Sequence, residues 1–171
     1  MFNKITNNCD AYYNNLLYSD LQRIESKDKK SLNKLRTYRL FKCENKFEDY
    51  LTYIADPGKR KVFTKFRISN HNLQIECGRH THTDINLRFC QLCTNNKIES
   101  EIHFLLQCEY FKNVRTCFLD KLKNHYDIVN KTDDELFVFL MDTKDPFLTK
   151  NVSDHISKCL KIRKEFLSTH T

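Results

Sequence analysis

Apolar residues recur every three or four positions along much of this chain, which is the spacing of one face of an α-helix. The pattern predicts eight helices, over residues 5–26, 31–43, 46–54, 59–68, 98–106, 110–126, 133–141 and 147–167. Thr132 is the predicted N-cap of the seventh, and the eighth begins at Phe147 or Asn151, after Asp145-Pro146. The sequence therefore predicts a chain built from helices.

Glycine and proline mark the interruptions between these helices. Asp56-Pro57-Gly58 is the clearest break in the N-terminal half, and Gly78 predicts a turn, since glycine adopts backbone conformations that a residue with a Cβ resists. The polar run 79–89 is predicted to be a loop that leads into Cys90. The chain has only two glycines and two prolines, with 13 phenylalanines and eight tyrosines to fill a core. We therefore predict an all-α fold, an irregular helical domain.

Positive charge lies largely before residue 90. The net charge is +7, which favours polyanionic partners such as nucleic acid, a membrane surface or an acidic protein. Basic residues with interleaved aromatics suit phosphate contacts and some base stacking. The predicted nucleic-acid contacts are Arg36, Arg39, Lys42, Lys59, Arg60, Lys61, Lys65, Arg67 and Arg79. A solvated helix face beside a buried aromatic stripe explains the same pattern, and this alternative stays open.

Eight cysteines raise the question of the redox compartment. The first 15 residues contain neither an apolar core nor a small-residue cleavage site, so we expect reduced thiols in an intracellular protein, nuclear or cytoplasmic and not secreted. No run approaches the roughly 18 apolar residues that a membrane span needs, so no transmembrane segment is expected.

The most specific motif is C-x2-C-x9-H-x4-C, formed by Cys90, Cys93, His103 and Cys108. A tight Cys-x-x-Cys turn followed by His and Cys about one helical turn apart can supply the four tetrahedral ligands of a zinc ion. Because five residues turn an ideal helix by about 140° past a full turn, His103 and Cys108 can face one metal only if the helix ends or loosens between them. Cys108 is therefore predicted at, or just past, a helix end, and the predicted cofactor is one structural Zn²⁺.

Other interpretations of the cysteines and histidines stay open. The four residues could be core cysteines and a core histidine, or Cys90 and Cys93 a redox dithiol, although no thioredoxin-like βαβ pattern surrounds them. A second metal site, or one further ligand for the first, could come from Cys77, His80 and His82. The remaining cysteines lie on apolar faces of predicted helices and are predicted to be core thiols, namely Cys9, Cys43, Cys117 and Cys159.

Catalytic motifs are not found in the sequence. The two glycines are isolated from each other, so no glycine-rich phosphate loop exists. The acidic run Asp133-Asp134-Glu135 is better explained as the start of a helix after Thr132, where carboxylates favour the helix dipole. We therefore predict that the chain is not an enzyme.

Two stretches, 61–80 and 88–115, together carry a family pattern. It consists of a basic helix, a Leu-containing segment with a Gly-Arg turn, Cys-x-x-Cys, an acidic residue before a His-hydrophobic run, and a Cys followed by an aromatic residue and an Arg. Besides the four motif residues, its elements here are Phe66, Arg67, His71, Leu73, Ile75, Glu76, Gly78, Arg79, Glu99, Glu101, Phe104, Leu105, Leu106, Tyr110 and Arg115. This pattern resembles the zinc-binding region at the C-terminal end of reverse transcriptases from non-LTR retrotransposons, and the likeness covers residues 32–119.

The resemblance implies a nucleic-acid-binding module that helps to hold template RNA or target DNA near a polymerase core. One departure is His80, where the family more often has Tyr or Trp. The larger departure is the absence of a Tyr-x-Asp-Asp motif and of endonuclease acids, which implies a detached tail without polymerase activity. The predicted organisation is a helical segment (1–57), the CCHC zinc-stapled turn-helix module (58–119) and a C-terminal helical extension (120–171). The alternative function is a zinc-stapled protein-interaction domain that meets an acidic partner or a parent polymerase.

Overall fold

A computed structural model describes residues 11–19, 35–42 and 46–170 and shows a predominantly helical chain. The helices are α1 (11–19), α2 (Tyr50–Tyr53), α3 (Pro57–Arg67), α4 (Gln74–His80), α5 (Lys112–Lys123), α6 (Asp133–Met141) and α7 (Pro146–His170). Three 3-10 turns (Tyr38–Leu40, Ile85–Leu87, Glu109–Phe111) and one π-helix (His103–Gln107) complete the elements. No sheet forms within these ranges, so the prediction of an all-α fold is confirmed.

The long helix α7 is the centre of the packing, since α2, α3, α5 and α6 all contact it. The core between them is rich in aromatic residues: Phe63, Phe66, Phe104, Phe137 and Ile156 are each at most 1% exposed. Burying one such side chain stabilises the fold by about 1.5–3 kcal/mol. The described part of α7 contains no stretch apolar enough to cross a membrane, and neither do the other described helices.

The break predicted at Asp56-Pro57-Gly58 is the first turn of α3. The Asp56 side chain accepts a hydrogen bond from the backbone N–H of Lys59 at 2.8 Å, and Pro57 occupies the first helical position, where its missing N–H is not needed. The tripeptide both ends the preceding segment and starts the next helix. The predicted helix 59–68 is confirmed, with an earlier start.

The turn predicted at Gly78 is wrong, because Gly78 lies inside α4 and no described glycine has a positive φ. Its lack of a side chain instead lets the Arg88 side chain approach the helix backbone closely. A Cβ at this position would lie only 2.6 Å from the Arg88 side chain, whose guanidinium donates to the carbonyls of Ile75 and Thr83. Gly78 therefore makes room for a buried arginine.

Two predicted helices are shorter in the structure, and a side chain that binds a backbone group explains the first of them. In 35–42, which we predicted as part of a helix over 31–43, only a 3-10 turn forms, because the Thr37 N–H donates to Ser69 Oγ at 3.0 Å. The predicted helix 46–54 forms only as α2, and the residues before it do not continue the helix. The helix predicted over 5–26 is present at 11–19, and its flanks lie outside the described residues.

The predicted helices of the C-terminal half agree better with the structure. Thr132 and Glu135 form a reciprocal capping box at the start of α6, and α6 ends at the predicted residue, Met141. The predicted helix 110–126 is present as a 3-10 turn followed by α5, and α7 extends the predicted helix 147–167 at both ends. The helix predicted over 98–106 begins only at residue 101. The division into segments 1–57, 58–119 and 120–171 stays a prediction.

Candidate metal centre

A short hairpin turn holds the first two cysteines. Phe89 and Ile98 form an isolated antiparallel bridge, and the Cys90 N–H donates to the Lys97 carbonyl at 2.8 Å. Between them the chain reverses at Asn96, whose φ of 49° lies in the left-handed region that asparagine tolerates. Because Ile98 pairs as a strand residue, the following helix cannot start there.

His103 and Cys108 are brought to one side by a local loosening of the helix. The Cys108 N–H donates to the His103 carbonyl, five residues back, at 2.7 Å, which is the π-helical bond. Cys108 itself has a ψ of 122° and leaves the helix. The prediction that Cys108 lies just past a helix end is confirmed, and the added loosening is why the two side chains converge.

The ligand atoms of Cys90, Cys93, His103 and Cys108 all lie within 4.8 Å of one another. Cys90 Sγ is 3.9 Å from Cys108 Sγ, and Cys93 Sγ is 3.4 Å from His103 Nε2. A tetrahedral thiolate–imidazole site has edges of about 3.8 Å between sulfurs and about 3.5 Å between sulfur and nitrogen. The sulfurs are too far apart for a disulfide, which needs about 2.05 Å. The cluster can therefore hold one metal ion.

The protonation of the cluster couples metal binding to pH. A hydrogen bond to Cys108, and then burial, raise the pKa of the Cys90 thiol to about 12. The same hydrogen bond lowers the pKa of Cys108, while burial raises the pKa of Cys93. Thiol protons thus remain on the cluster at neutral pH, and a metal ion must displace them when it binds.

The imidazole of His103 is nearly buried, at 2% exposure. Its Nε2 faces Cys93, whereas its Nδ1 has no hydrogen-bond partner among the described residues. An unsatisfied buried polar atom costs about 1–3 kcal/mol. The Nε2 atom, which faces the thiols, is therefore the ring nitrogen placed to bind a metal ion, and Nδ1 is left without a partner.

Glu99 connects the cluster to the C-terminal helix. Its carboxylate is fully buried, lies 4.0 Å from Cys90 Sγ, and accepts from the Gln74 N–H at 2.7 Å. Arg163 on α7 binds both of its oxygens, at 2.7 and 2.8 Å. Sequence reasoning missed Arg163, which is far from the motif. The available signal was its position seven residues after Ile156, on the buried stripe of α7.

A second buried carboxylate, Glu101, anchors the segment 35–42 beside the cluster. It accepts hydrogen bonds from Arg36, Thr37 and His71, at 2.5, 2.8 and 2.9 Å. Burial by itself would raise the pKa of Glu101, but the hydrogen bond from His71 and the nearby positive charges lower it overall. Glu101 is therefore held as a carboxylate inside the fold.

Three of the arginines predicted to contact nucleic acid have partners within the fold. Arg36 and Arg79 both pair with the buried Glu76, at 2.6 and 2.9 Å. Arg67 is only 3% exposed and pairs with Glu48 at 2.6 Å, while its guanidinium stacks over aromatic rings. Those rings belong to Phe41, Tyr50 and Phe63. These arginines stabilise the fold through charge pairing and cation–π contacts.

The other six predicted contacts divide into two groups. Lys42 pairs with Glu48, Lys59 pairs with Asp154, and Arg60 donates to the Leu51 carbonyl. The second group is exposed and has no ion-pair partner within the described part of the chain: Arg39, Lys61 and Lys65. Contact with nucleic acid stays a prediction for all of them.

The remaining cysteines and histidines that the structure describes do not join the cluster. Cys77 Sγ donates to the Asn72 carbonyl at 3.3 Å, His80 and His82 are exposed, and no metal-binding group among the described residues includes them. Cys159 is buried as predicted. Cys117 is exposed, so that prediction is wrong: it lies one position before the buried Phe118 and so misses the apolar face of α5. Cys9 and Cys43 lie outside the described residues.

Comparisons of this chain with family models, with curated proteins and with solved structures find no match. The likeness to the retrotransposon zinc-binding region stays a prediction based on the motif residues. The geometry around Cys90, Cys93, His103 and Cys108 is therefore the main basis for a functional interpretation.

Proposed function

We propose that this chain is a nucleic-acid-binding module stabilised by one structural Zn²⁺. The observation that supports it most is the convergence of four ligand atoms of soft, zinc-preferring type within 4.8 Å. Three cysteines and one histidine would fill all four positions of a zinc ion and leave none for a substrate. Such a metal holds the fold together and does not catalyse a reaction.

The proposed phosphate-binding surface lies on α3 and α7. Lys61 and Lys65 are four residues apart on one exposed face of α3, and α7 packs beside α3. Lys161 and Lys164 are exposed on α7. Lysines at these exposed positions suit contacts with a phosphate backbone, and such contacts do not depend on the base sequence. The net charge of +7 favours the same class of partner.

The parentage that we propose is the C-terminal tail of a non-LTR reverse transcriptase, without polymerase activity of its own. The residue pattern around the ligands supports this proposal. The partner would be RNA or DNA, held near a polymerase core. An upstream polymerase reading frame in the neighbouring coding sequence would support this origin.

A second candidate is the zinc-stapled protein-interaction domain. The observation that favours it is that Arg36, Arg67 and Arg79 are committed to internal carboxylates. Arginine is the residue best suited to bidentate phosphate contacts. Because these three arginines are already paired inside the fold, the case for nucleic-acid binding is weaker. A stable acidic protein partner, combined with no binding of RNA or DNA, would favour this candidate.

The test combines metal analysis with nucleic-acid binding. Purified protein should contain one zinc per chain, and its affinity for single-stranded RNA or DNA should fall as salt concentration rises. Lys61→Glu with Lys65→Glu should weaken binding by about tenfold or more and reduce the salt dependence. Lys112→Glu with Lys150→Glu, the same charge change at exposed lysines elsewhere, should have a smaller effect. Binding that is undetectable, or independent of salt, would reject the nucleic-acid part.

A further inference from the structure

A groove of about 380 Å³ lies between α3 and α7. Its apolar lining comes from Val62, Leu160 and Leu167, which are half-buried, and the exposed Lys65 and Lys164 flank it from the two helices. From Leu160 to Leu167 the groove follows α7 for about 10 Å, or two helical turns. The groove is therefore long enough to accept a short helical segment.

The charged side chains that line this groove are cationic. No carboxylate lies among its described lining residues, and Arg163 at its base is already bound to Glu99. Lys65 and Lys164 have no ion-pair partner in the described part of the chain. An occupant that supplies carboxylates on both sides of an apolar stripe would match this pattern of charge.

We propose that the groove binds an amphipathic helix of a partner protein, with aliphatic anchors along one stripe and acidic residues on both flanks. This is the helix-in-groove mode of recognition, in which residues at spacings of three, four and seven positions insert into an apolar groove. The aliphatic anchors contact Val62, Leu160 and Leu167. The flanking carboxylates pair with Lys65 on one side and Lys164 on the other.

The lining favours a peptide over a nucleic acid in this groove. Proteins that bind single-stranded nucleic acid stack bases on accessible aromatic rings. The ring in this groove is that of His71, whose side chain is only 3% exposed and whose Nε2 is bound to Glu101 at 2.9 Å. The aliphatic side chains offer no stacking platform, whereas they suit leucine or isoleucine anchors. The groove shares Lys65 and Lys164 with the surface proposed to bind phosphates, so a peptide and a nucleic acid would compete for these two lysines. The proposal goes beyond nucleic-acid binding, and peptide binding does not require it.

The experiment uses the full chain with zinc and a labelled helical peptide of about 14 residues. The peptide carries leucines at positions i, i+4 and i+7 and glutamates on both flanks. Fluorescence anisotropy should show saturable binding, and the methyl resonances of Val62, Leu160 and Leu167 should shift on addition of the peptide. Lys65→Glu with Lys164→Glu should reduce affinity by about tenfold or more. Val62→Thr, which keeps the shape but adds a hydroxyl to the lining, should also weaken binding.

Lys112→Glu with Lys150→Glu is the matched control and should change affinity by less than about twofold. Thermal unfolding of each variant checks that these substitutions leave the fold intact. Equal binding of a peptide with lysines in place of the glutamates, or no methyl shift at about 1 mM peptide, would overturn the proposal. So would a single-stranded oligonucleotide that shifts these methyl groups when the peptide does not. Zinc content and gel-shift behaviour are measured separately, so failure here is distinct from failure of the proposed function.

Discussion

Cysteines and histidines in this protein differ in role from one position to the next. Cys93 and Cys117 are both cysteines outside the deep core, yet Cys93 Sγ lies 3.4 Å from His103 Nε2 and Cys117 is exposed on α5. His155 is buried and stacks on Phe118, with ring centroids 4.1 Å apart. The contacts of each residue, and not its type, determine what a substitution does.

We expect Cys93→Ser to abolish stoichiometric zinc binding, because a serine hydroxyl is a poor ligand for a soft metal site. The variant should also unfold at a lower temperature, since metal binding contributes to folding. Metal analysis and calorimetry measure the two effects. Cys117→Ser is the matched control and should stay within about 0.5 kcal/mol of the wild type. A Cys93→Ser protein with full zinc content and normal stability would disprove the site.

His155 should make the protein less stable in mild acid. Burial, followed by the charges of Arg115 and Lys158, lowers the pKa of His155 from 6.5 to about 4. The folded state therefore binds fewer protons than the unfolded state between these values. The contribution of His155 is fully present above pH 6.5 and is lost as the pH falls toward 4, by roughly 3 kcal/mol in total.

The substitution His155→Phe keeps a ring against Phe118 and removes the titration. Denaturant unfolding at several pH values measures the free energy of unfolding of both proteins. As the pH falls from about 6.5 to about 4, the wild type should lose more of this free energy than the variant. A difference that stays constant across this range would contradict the assignment.

At the scale of elements, α7 is linked to the candidate metal centre by the Glu99–Arg163 ion pair. Glu99 lies next to the hairpin that carries Cys90 and Cys93, and Arg163 belongs to a helix that begins 47 residues after Glu99. Both charges are buried and bind each other through two hydrogen bonds. Removal of either partner would leave the other charge without compensation.

We expect Glu99→Gln to weaken zinc binding by about 10- to 100-fold and to lower stability by about 3–5 kcal/mol. Competition with a chromogenic chelator and denaturant unfolding measure these two quantities. Combining Glu99→Gln with Arg163→Met should recover part of the lost stability, because no unpaired charge then remains. Glu109→Gln, at an exposed glutamate just after Cys108, is the control. If Glu99→Gln and Glu109→Gln have the same zinc affinity and the same stability, the link between α7 and the candidate metal centre is wrong.

On the scale of the whole molecule, the segment 99–108 touches distant parts of the fold. Glu99 binds α7, Glu101 binds the segment 35–42, and Phe104 packs against Phe66 of α3. A metal ion held by His103 and Cys108 would therefore stabilise more than its own loop.

Removal of zinc with a chelator should reduce hydrogen-exchange protection in α3 and α7 as well as near the ligands. The physical reason is that the Glu99–Arg163 ion pair holds α7, and the contact between Phe66 and Phe104 holds α3, only while the segment 99–108 keeps its position. Mass spectrometry of exchange in the zinc-bound and chelated protein measures this. Protection limited to residues 90–108 in the zinc-bound protein would instead indicate a remnant that is only partly folded without a parent enzyme.

Local signals in the sequence were enough to identify several features. The spacing of Cys90, Cys93, His103 and Cys108 predicted the metal cluster, and Thr132 predicted the start of α6, because ligand spacing and helix capping depend on residues close together in the chain. The helical repeat of apolar residues likewise predicted α3 and α7. The helix predicted over 31–43 failed at 35–42 because Thr37 binds Ser69, a contact that no local pattern contains.

The sequence by itself therefore determined the all-α class, the cluster of Cys90, Cys93, His103 and Cys108, and the Thr132 cap of α6, since each depends on short-range spacing. Only the tertiary structure decided how the buried charges are used. It placed Arg67 among aromatic rings, made room for Arg88 at Gly78, and paired Arg163 with Glu99. A charge excluded from water must find its partner in space, and that partner can lie anywhere along the chain.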